Sequence, residues 1–97
     1  MQNPPSSSPQ RVRVLISGRV QGVGFRYSTR EAALERNIKG WVRNLPSGQV
    51  EAVFEGHSAQ IESMIAWCHQ GPPAAVVREV TVQPESPEDL QGFEIAR

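Results

Sequence analysis

The chain has 97 residues, which is enough for one domain with a single modest core but not for two. Its ten basic residues balance its ten acidic ones, so the basic excess that is typical of nucleic-acid-binding domains is absent. The single cysteine excludes an intrachain disulfide and a cysteine metal cluster, and it slightly favours a reducing compartment.

Residues 1–10 contain three prolines and three serines, and no apolar residue after Met1 could anchor them to a core. We expect a disordered tail over residues 1–10, followed by one domain over residues 11–97. Such a tail could bind a proline-recognising partner, although a tail without a partner is the commoner case. No apolar stretch is as long as a membrane span and no signal-peptide pattern is present, so we expect a cytoplasmic protein with no membrane partner.

The first predicted element is a half-buried strand over residues 11–17, because apolar and polar residues alternate there. One face would carry Val12, Val14 and Ile16. The other face would carry Arg11, Arg13 and Ser17 together with a single apolar residue, Leu15.

The segment GRVQGVGFR, residues 18–26, follows this strand directly and has three glycines within seven residues. Glycine permits positive φ angles and a close approach of the backbone to a ligand. A strand that runs through such a loop into a helix can direct several backbone N–H groups at one anion, usually a phosphate. Arg26 ends the loop with a planar fork of donors that matches phosphate oxygens. These residues alone leave two interpretations open, an anion site and a purely structural turn.

Two helices are predicted. The first covers residues 25–37, which are rich in helix formers, and Asn37 suits a left-handed position at its end. The second covers residues 58–70, with Ser58 as the expected N-cap and a Gly-Pro-Pro sequence after its end. Its buried face would consist of four residues at helical spacing, Ile61, Met64, Ile65 and Cys68.

Four further strands are predicted, over residues 41–44, 50–55, 76–82 and 93–96. The first two flank a turn that contains proline, serine and glycine, so they form a hairpin. The third allows a bulge, because Val76 and Val77 are both apolar. Residues 84–92 are predicted to be a polar loop.

The element order is therefore βαββαβ with a short extra strand, which predicts an α+β, ferredoxin-like split βαβ sandwich. In this fold two helices cover one face of an antiparallel sheet, and the first strand has a neighbour on both sides. The glycine loop would then begin at a well-supported strand end. The topology can bring Asn44, at the end of the second strand, beside this loop.

The glycine loop does not match the two best-known phosphate-binding motifs. It lacks the Gly-Lys-Ser/Thr ending of a Walker A loop. It also lacks the third glycine of the dinucleotide fingerprint, and one strand-helix-strand unit does not make half of a Rossmann fold.

Two segments resemble the signature motifs of the acylphosphatase family. The first is GRVQGVGFR, and the second is GWVRNLPSGQVEAVFEG, residues 40–56. Their order and separation also resemble the family pattern, and the resemblance extends from Val12 to the C-terminus. The resemblance implies a ferredoxin-like fold and hydrolysis of acyl phosphates to a carboxylate and inorganic phosphate, without a metal or another cofactor.

The resemblance also implies roles for particular residues. Arg26 corresponds to the phosphate-binding arginine of the family, and Asn44 corresponds to the asparagine that positions the attacking water. The phosphate cradle corresponds to the backbone of six residues, Arg19, Val20, Gln21, Gly22, Val23 and Gly24. The chain departs from the family pattern at Arg36-Asn37 and at the C-terminal Ala96-Arg97, away from the implied chemistry.

Several of these residues also have a purely structural interpretation. From spacing alone, Asn44 would simply begin the turn at residues 45–49, and only both motifs together favour catalysis. The charge of Arg19 is expected to be solvated and the side chain of Gln21 to be structural. His57 and His69 flank the second helix and are not expected to be ligands, while Cys68 is expected to be a buried apolar residue.

Three functions fit the predicted fold, and fold alone does not separate them. We expect a monomeric enzyme that acts on a small-molecule acyl phosphate. The alternative is a non-catalytic module that binds acyl phosphates or other anions, because similar domains occur in larger carbamoyl-phosphate-handling proteins. An RNA-binding domain is the third, but paired aromatic residues for base stacking are missing and the net charge is zero, so we expect no nucleic-acid partner.

Overall fold

The computed structural model describes residues 8–97, which form five strands and two helices. In chain order the elements are β1 (Gln10–Arg19), α1 (Phe25–Glu35), β2 (Lys39–Asn44), β3 (Val50–Gly56), α2 (Ser58–Cys68), β4 (Val76–Glu85) and β5 (Phe93–Ile95). The predicted order of elements is confirmed. The predicted disordered tail lies outside the described residues as far as residue 7, and β1 begins at Gln10. No helix among residues 8–97 is long and apolar enough to cross a membrane.

The five strands form one sheet in the order β4-β1-β3-β2-β5. Neighbouring strands are antiparallel, except that the short β5 runs parallel to β2. β1 lies between β4 and β3, so the strand that leads into the glycine loop is held on both sides, as predicted. The register between β1 and β4 shifts by one residue at Arg78, which confirms a bulge in β4.

Both helices pack against one face of the sheet and enclose a single core. α1 contributes Phe25, Thr29, Ala32 and Ala33, and α2 contributes Ile61, Met64 and Cys68. The sheet contributes mainly aliphatic residues from alternate positions, Val12, Val14, Ile16, Val42, Val50, Ala52 and Phe54. The predicted ferredoxin-like sandwich is therefore the observed fold.

Several predicted boundaries are wrong by one to three residues. His57, not Ser58, is the N-cap of α2, and its backbone N–H donates to Oε1 of Gln60 at 3.1 Å. Both helices end two residues earlier than predicted, because Asn37 adopts a left-handed φ of 56° after α1 and residues 69–70 form a turn after α2. β4 continues to Glu85, because pairing with β1 extends that far and a proline is tolerated in an edge strand.

The outer face of the sheet is not simply exposed, which corrects the prediction for Arg11. Only 6% of Arg11 is accessible to solvent. Its guanidinium donates to Glu55 at 2.9 Å and to Glu85 at 2.8 Å, and these bonds compensate for burial of the charge. An alternating pattern indicates which residues share a face of the sheet. It does not show that charged side chains on that face pair with one another and shield one another from solvent.

The same charged cluster continues across the sheet. Arg13 contacts Glu85 at 2.7 Å and also pairs with Glu51, which accepts a second bond from Arg43 at 2.7 Å. The guanidiniums of Arg13 and Arg43 lie 5.8 and 5.2 Å from the centre of the Trp41 ring, in cation–π geometry. The cluster thus connects β4, β1, β3 and β2 on the face opposite the helices.

Glu55 is the most buried carboxylate of this cluster, with 4% of its surface exposed. Burial raises its pKa, but the backbone N–H groups of Glu88 and Leu90, each at 2.8 Å, and the Arg11 guanidinium outweigh burial. The net effect is a pKa below the ordinary value of 4.5. Glu55 therefore fastens the segment before β5 to the sheet more strongly when it is ionised than when it is protonated.

We expect Glu55→Gln to lower the free energy of unfolding at pH 7 by about 3 kcal/mol, because it leaves the buried Arg11 charge with less compensation. The contribution of Glu55 is complete above its unfolded pKa and is lost as the pH falls through its lower folded pKa. Urea unfolding from pH 7 to pH 3 should therefore show a shallower acid loss of stability in Glu55→Gln than in the native chain. The exposed Glu62→Gln is the control, and equal pH slopes in all three chains would contradict the prediction.

Candidate active site

Two strand ends bring the predicted site residues to one edge of the sheet. β1 and β2 both run antiparallel to β3, so their carboxyl ends lie at the same edge. Val50 of β3 pairs with Ile16 on one side and with Asn44 on the other. Two strand spacings are about 10 Å. The loop that follows β1 and Asn44 therefore lie at the same edge of the sheet.

The glycine loop is anchored at two positions and open at two others. Val20 is 1% exposed and belongs to the core, and Val23 packs against the core from the loop. Gly22 and Gly24 have φ angles of 75° and 79°, which favour glycine, and a Cβ atom at either position would meet nothing within 4 Å. Backbone is therefore exposed on the open side of the loop, where a ligand can approach it.

The backbone N–H groups of residues 20–24 donate to no protein acceptor in the described part of the chain. The loop leads directly into α1, whose N-cap is Gly24 and whose first turn has no side-chain cap and no acidic residue. Unpaired N–H groups and the positive end of the helix dipole both favour an anion here. This arrangement supports the anion-site interpretation of the loop over a purely structural turn.

Arg26 is the second residue of α1 and is half-buried. Four arginines form no ion pair within residues 8–97. Three of them are exposed, Arg19, Arg78 and Arg97, whereas Arg26 is half-buried. A cation at the N-terminus of a helix is unfavourable unless an anion accompanies it. The position of Arg26 is therefore suited to binding an anion with the loop.

Asn44 is the last residue of β2. Its Oδ1 atom is buried and has no hydrogen-bond partner, and no other buried side-chain oxygen or nitrogen in the described chain lacks one. Leaving a buried polar atom unpaired costs about 1–3 kcal/mol. Such an atom needs an explanation, and a catalytic role or a bound water is one. A carboxamide oxygen in this position can accept a hydrogen bond from a bound molecule such as water.

The loop is joined to the turn after Asn44 by a contact that local sequence patterns do not show. The side chain of Gln21 donates to the backbone carbonyls of Leu45 and Gln49, which lie 24 and 28 positions away. In addition, Nε2 of Gln49 donates to Oγ of Ser17 at 3.0 Å. Local sequence patterns indicate no role for Ser17 or Gln49, and only their joint presence at the strand and hairpin ends could have indicated one.

The remaining reactive side chains lie elsewhere. Cys68 is buried in the core, and burial raises the pKa of its thiol to about 12, which makes it inert as a nucleophile. His57 and His69 are exposed at the two ends of α2. Within residues 8–97, no three His, Cys, Asp or Glu side chains are grouped closely enough to hold a metal ion.

Comparisons with known proteins show which family the chain resembles. The family model described as Acylphosphatase matches residues 12–95. A curated acylphosphatase from Trichormus variabilis is 59% identical over 97 residues, covering 96% of each chain. The crystal structure of acylphosphatase from Bacillus subtilis is 35% identical with a TM-score of 0.89, and the match covers 91% of this chain and 99% of that one.

The chain is also similar to part of a larger protein. The crystal structure of HypF from T. kodakarensis is 29% identical with a TM-score of 0.81, over 91% of this chain but only 12% of that one. The family match covers nearly all of the described residues, and the Trichormus relative has almost the same length. The chain therefore belongs to the acylphosphatase family of enzymes, which hydrolyse acyl phosphates.

Proposed function

We propose that this chain hydrolyses acyl phosphates at the sheet edge formed by the ends of β1 and β2. The backbone of residues 19–24 and the guanidinium of Arg26 hold the phosphoryl group, and Asn44 orients the attacking water. The observation that supports this proposal most strongly is the buried, unpartnered Oδ1 of Asn44 at the same edge as the glycine loop. A structural turn has no need for such an atom.

Hydrolysis of an acyl phosphate needs few catalytic groups from the protein. Water attacks phosphorus, the bond between phosphorus and the acyl oxygen breaks, and the acyl group leaves as a carboxylate. A carboxylate is a stable leaving group, so no general acid is needed. The proton of the water passes to an oxygen of the phosphoryl group, which leaves as inorganic phosphate. Catalysis then depends on positioning and on stabilisation of charge.

The residues of the site can provide both positioning and charge stabilisation. The unpaired N–H groups of residues 20–24 and the N-terminus of α1 can donate to the phosphoryl oxygens, and Arg26 adds a charged fork. The Oδ1 of Asn44 accepts a hydrogen bond from water and orients its lone pair without acting as a base. No metal is needed in this scheme, because these donors carry the charge stabilisation.

We further propose that the substrate is a small acyl phosphate and that the chain works as a monomer in the cytoplasm. The loop is exposed at Gly22 and Gly24, so a small phosphorylated carboxyl group can reach it directly. All the proposed site residues belong to one chain. The buried Cys68 thiol fits a reducing compartment.

A non-catalytic anion-binding module is the second candidate, favoured by the match to a small part of HypF. Hydrolysis of benzoyl phosphate in excess chelator separates the two functions. We expect turnover that survives chelation and is inhibited by inorganic phosphate. Phenyl phosphate is the control substrate and should be hydrolysed far more slowly, since phenolate is a poorer leaving group and the site offers no general acid. Phosphate binding without turnover would favour the binding module. A chain that neither binds phosphate nor hydrolyses benzoyl phosphate would contradict both proposed functions.

A further inference from the structure

The side chain of Gln21 connects the two halves of the site. Its Nε2 atom donates to the carbonyl oxygen of Leu45 at 2.8 Å and to that of Gln49 at 2.9 Å. A carboxamide NH₂ group has two hydrogens, so both are used and both are directed at the same turn. Gln21 lies inside the glycine loop, between Val20 and Gly22, and the turn begins directly after Asn44.

The turn does not depend on Gln21 for its own closure. The N–H of Leu45 donates to the carbonyl of Gln49 at 2.9 Å, and the N–H of Gly48 donates to the carbonyl of Leu45 at 3.0 Å. Each carbonyl oxygen has two lone pairs, so it accepts one bond from within the turn and one from Gln21. The second bond therefore adds nothing to the shape of the turn. It determines where the turn lies relative to the glycine loop.

We propose that Gln21 is a positioning residue that sets the distance between the bound phosphoryl group and the water held by Asn44. This inference rests on the function proposed above. The loop holds phosphorus and the strand end holds the nucleophile. Gln21 bonds the loop itself to the turn, whereas the bond from Gln49 to Ser17 reaches only the end of β1 before the loop. Attack requires reacting atoms about 3–3.5 Å apart, and a misplacement of about 1 Å can cost about 10²-fold in rate.

The test uses Gln21→Met, which keeps the length of the side chain and removes both donors. We expect kcat for benzoyl phosphate to fall about 10- to 100-fold, because the water is no longer aligned. The inhibition constant for inorganic phosphate should change less than about threefold, since the loop backbone and Arg26 still hold the anion. Gln83→Met, in the exposed part of β4, makes the same exchange away from the site and should leave both constants unchanged.

A double-mutant cycle separates positioning from general damage. Because Gln21 acts through Asn44, Gln21→Met should lower kcat less than about threefold in an Asn44→Ala background. A loss of the full size in that background would overturn the proposal, and so would an unchanged kcat in the single variant or a parallel loss of phosphate binding. If Asn44→Ala itself kept normal turnover, the function proposed for Asn44 would fail, and this inference would fail with it.

Folding is checked by circular dichroism before the kinetics. If Gln21→Met does not fold, Gln21→Leu replaces it, because leucine is also uncharged and has no donor. If neither variant folds, the inference is overturned, because the turn closes through its own backbone bonds and should not require Gln21.

Discussion

Arg26→Ala is expected to lower kcat/KM for benzoyl phosphate by about 10³-fold, because it removes the charged fork that opposes the phosphoryl charge. It should also abolish inhibition by inorganic phosphate over the range that inhibits the native chain. Ground state and transition state both carry the phosphoryl charge, so loss of this side chain affects binding as well as turnover. Steady-state kinetics with phosphate as inhibitor measures both effects.

Two variants show whether the loss comes from Arg26 itself. Arg30→Ala removes an exposed arginine one turn along the same helix, 4.0 Å from Glu31, and should leave activity within about threefold of native. Arg26→Lys keeps the charge but not the planar fork, and should recover only part of the loss. Full activity in Arg26→Ala would show that the loop binds its anion without this side chain and would contradict its proposed role.

Much of the fold could be predicted because each element carries a local signal. The aliphatic alternation of β1 and the helical spacing of Ile61, Met64 and Cys68 correspond to buried faces in the structure. Helix ends were harder to predict, because single residues decide them and His57 replaced the expected Ser58 as N-cap. The burial of Arg11 could not be predicted, since its partner Glu55 is 44 positions away.

The candidate site likewise contains residues that the sequence predicts and a contact that it does not predict. Two motifs together predict Arg26 and Asn44 as site residues. Because β1 and β2 run in the same direction, the end of β2 and the start of the loop that leads to Arg26 lie at one edge of the sheet. Their individual roles remain predictions. The Gln21 bridge was not predictable, because it consists of one side chain and two backbone carbonyls, and backbone acceptors have no sequence signature.

Asn44→Ala is expected to lower kcat for benzoyl phosphate by about 10²- to 10³-fold, since it removes the group proposed to orient water. The inhibition constant for phosphate should stay within about threefold of native, because the anion contacts the loop and Arg26 instead. Asn44→Asp should lose turnover and also bind phosphate more weakly, because its carboxylate repels the dianion. Gln70→Ala, which removes an exposed carboxamide after α2, is the matched control for both constants.

Stability distinguishes catalysis from the turn-forming alternative for Asn44. If the side chain served the turn, its removal would destabilise the chain. The Oδ1 atom makes no hydrogen bond within the protein, so Asn44→Ala removes no such bond and should leave the free energy of unfolding within about 0.5 kcal/mol of native. A variant that is as stable as the native chain and nearly inactive would support the role of Asn44 in orienting the attacking water. A drop in Tm together with native kcat would contradict the catalytic role and assign Asn44 to the turn.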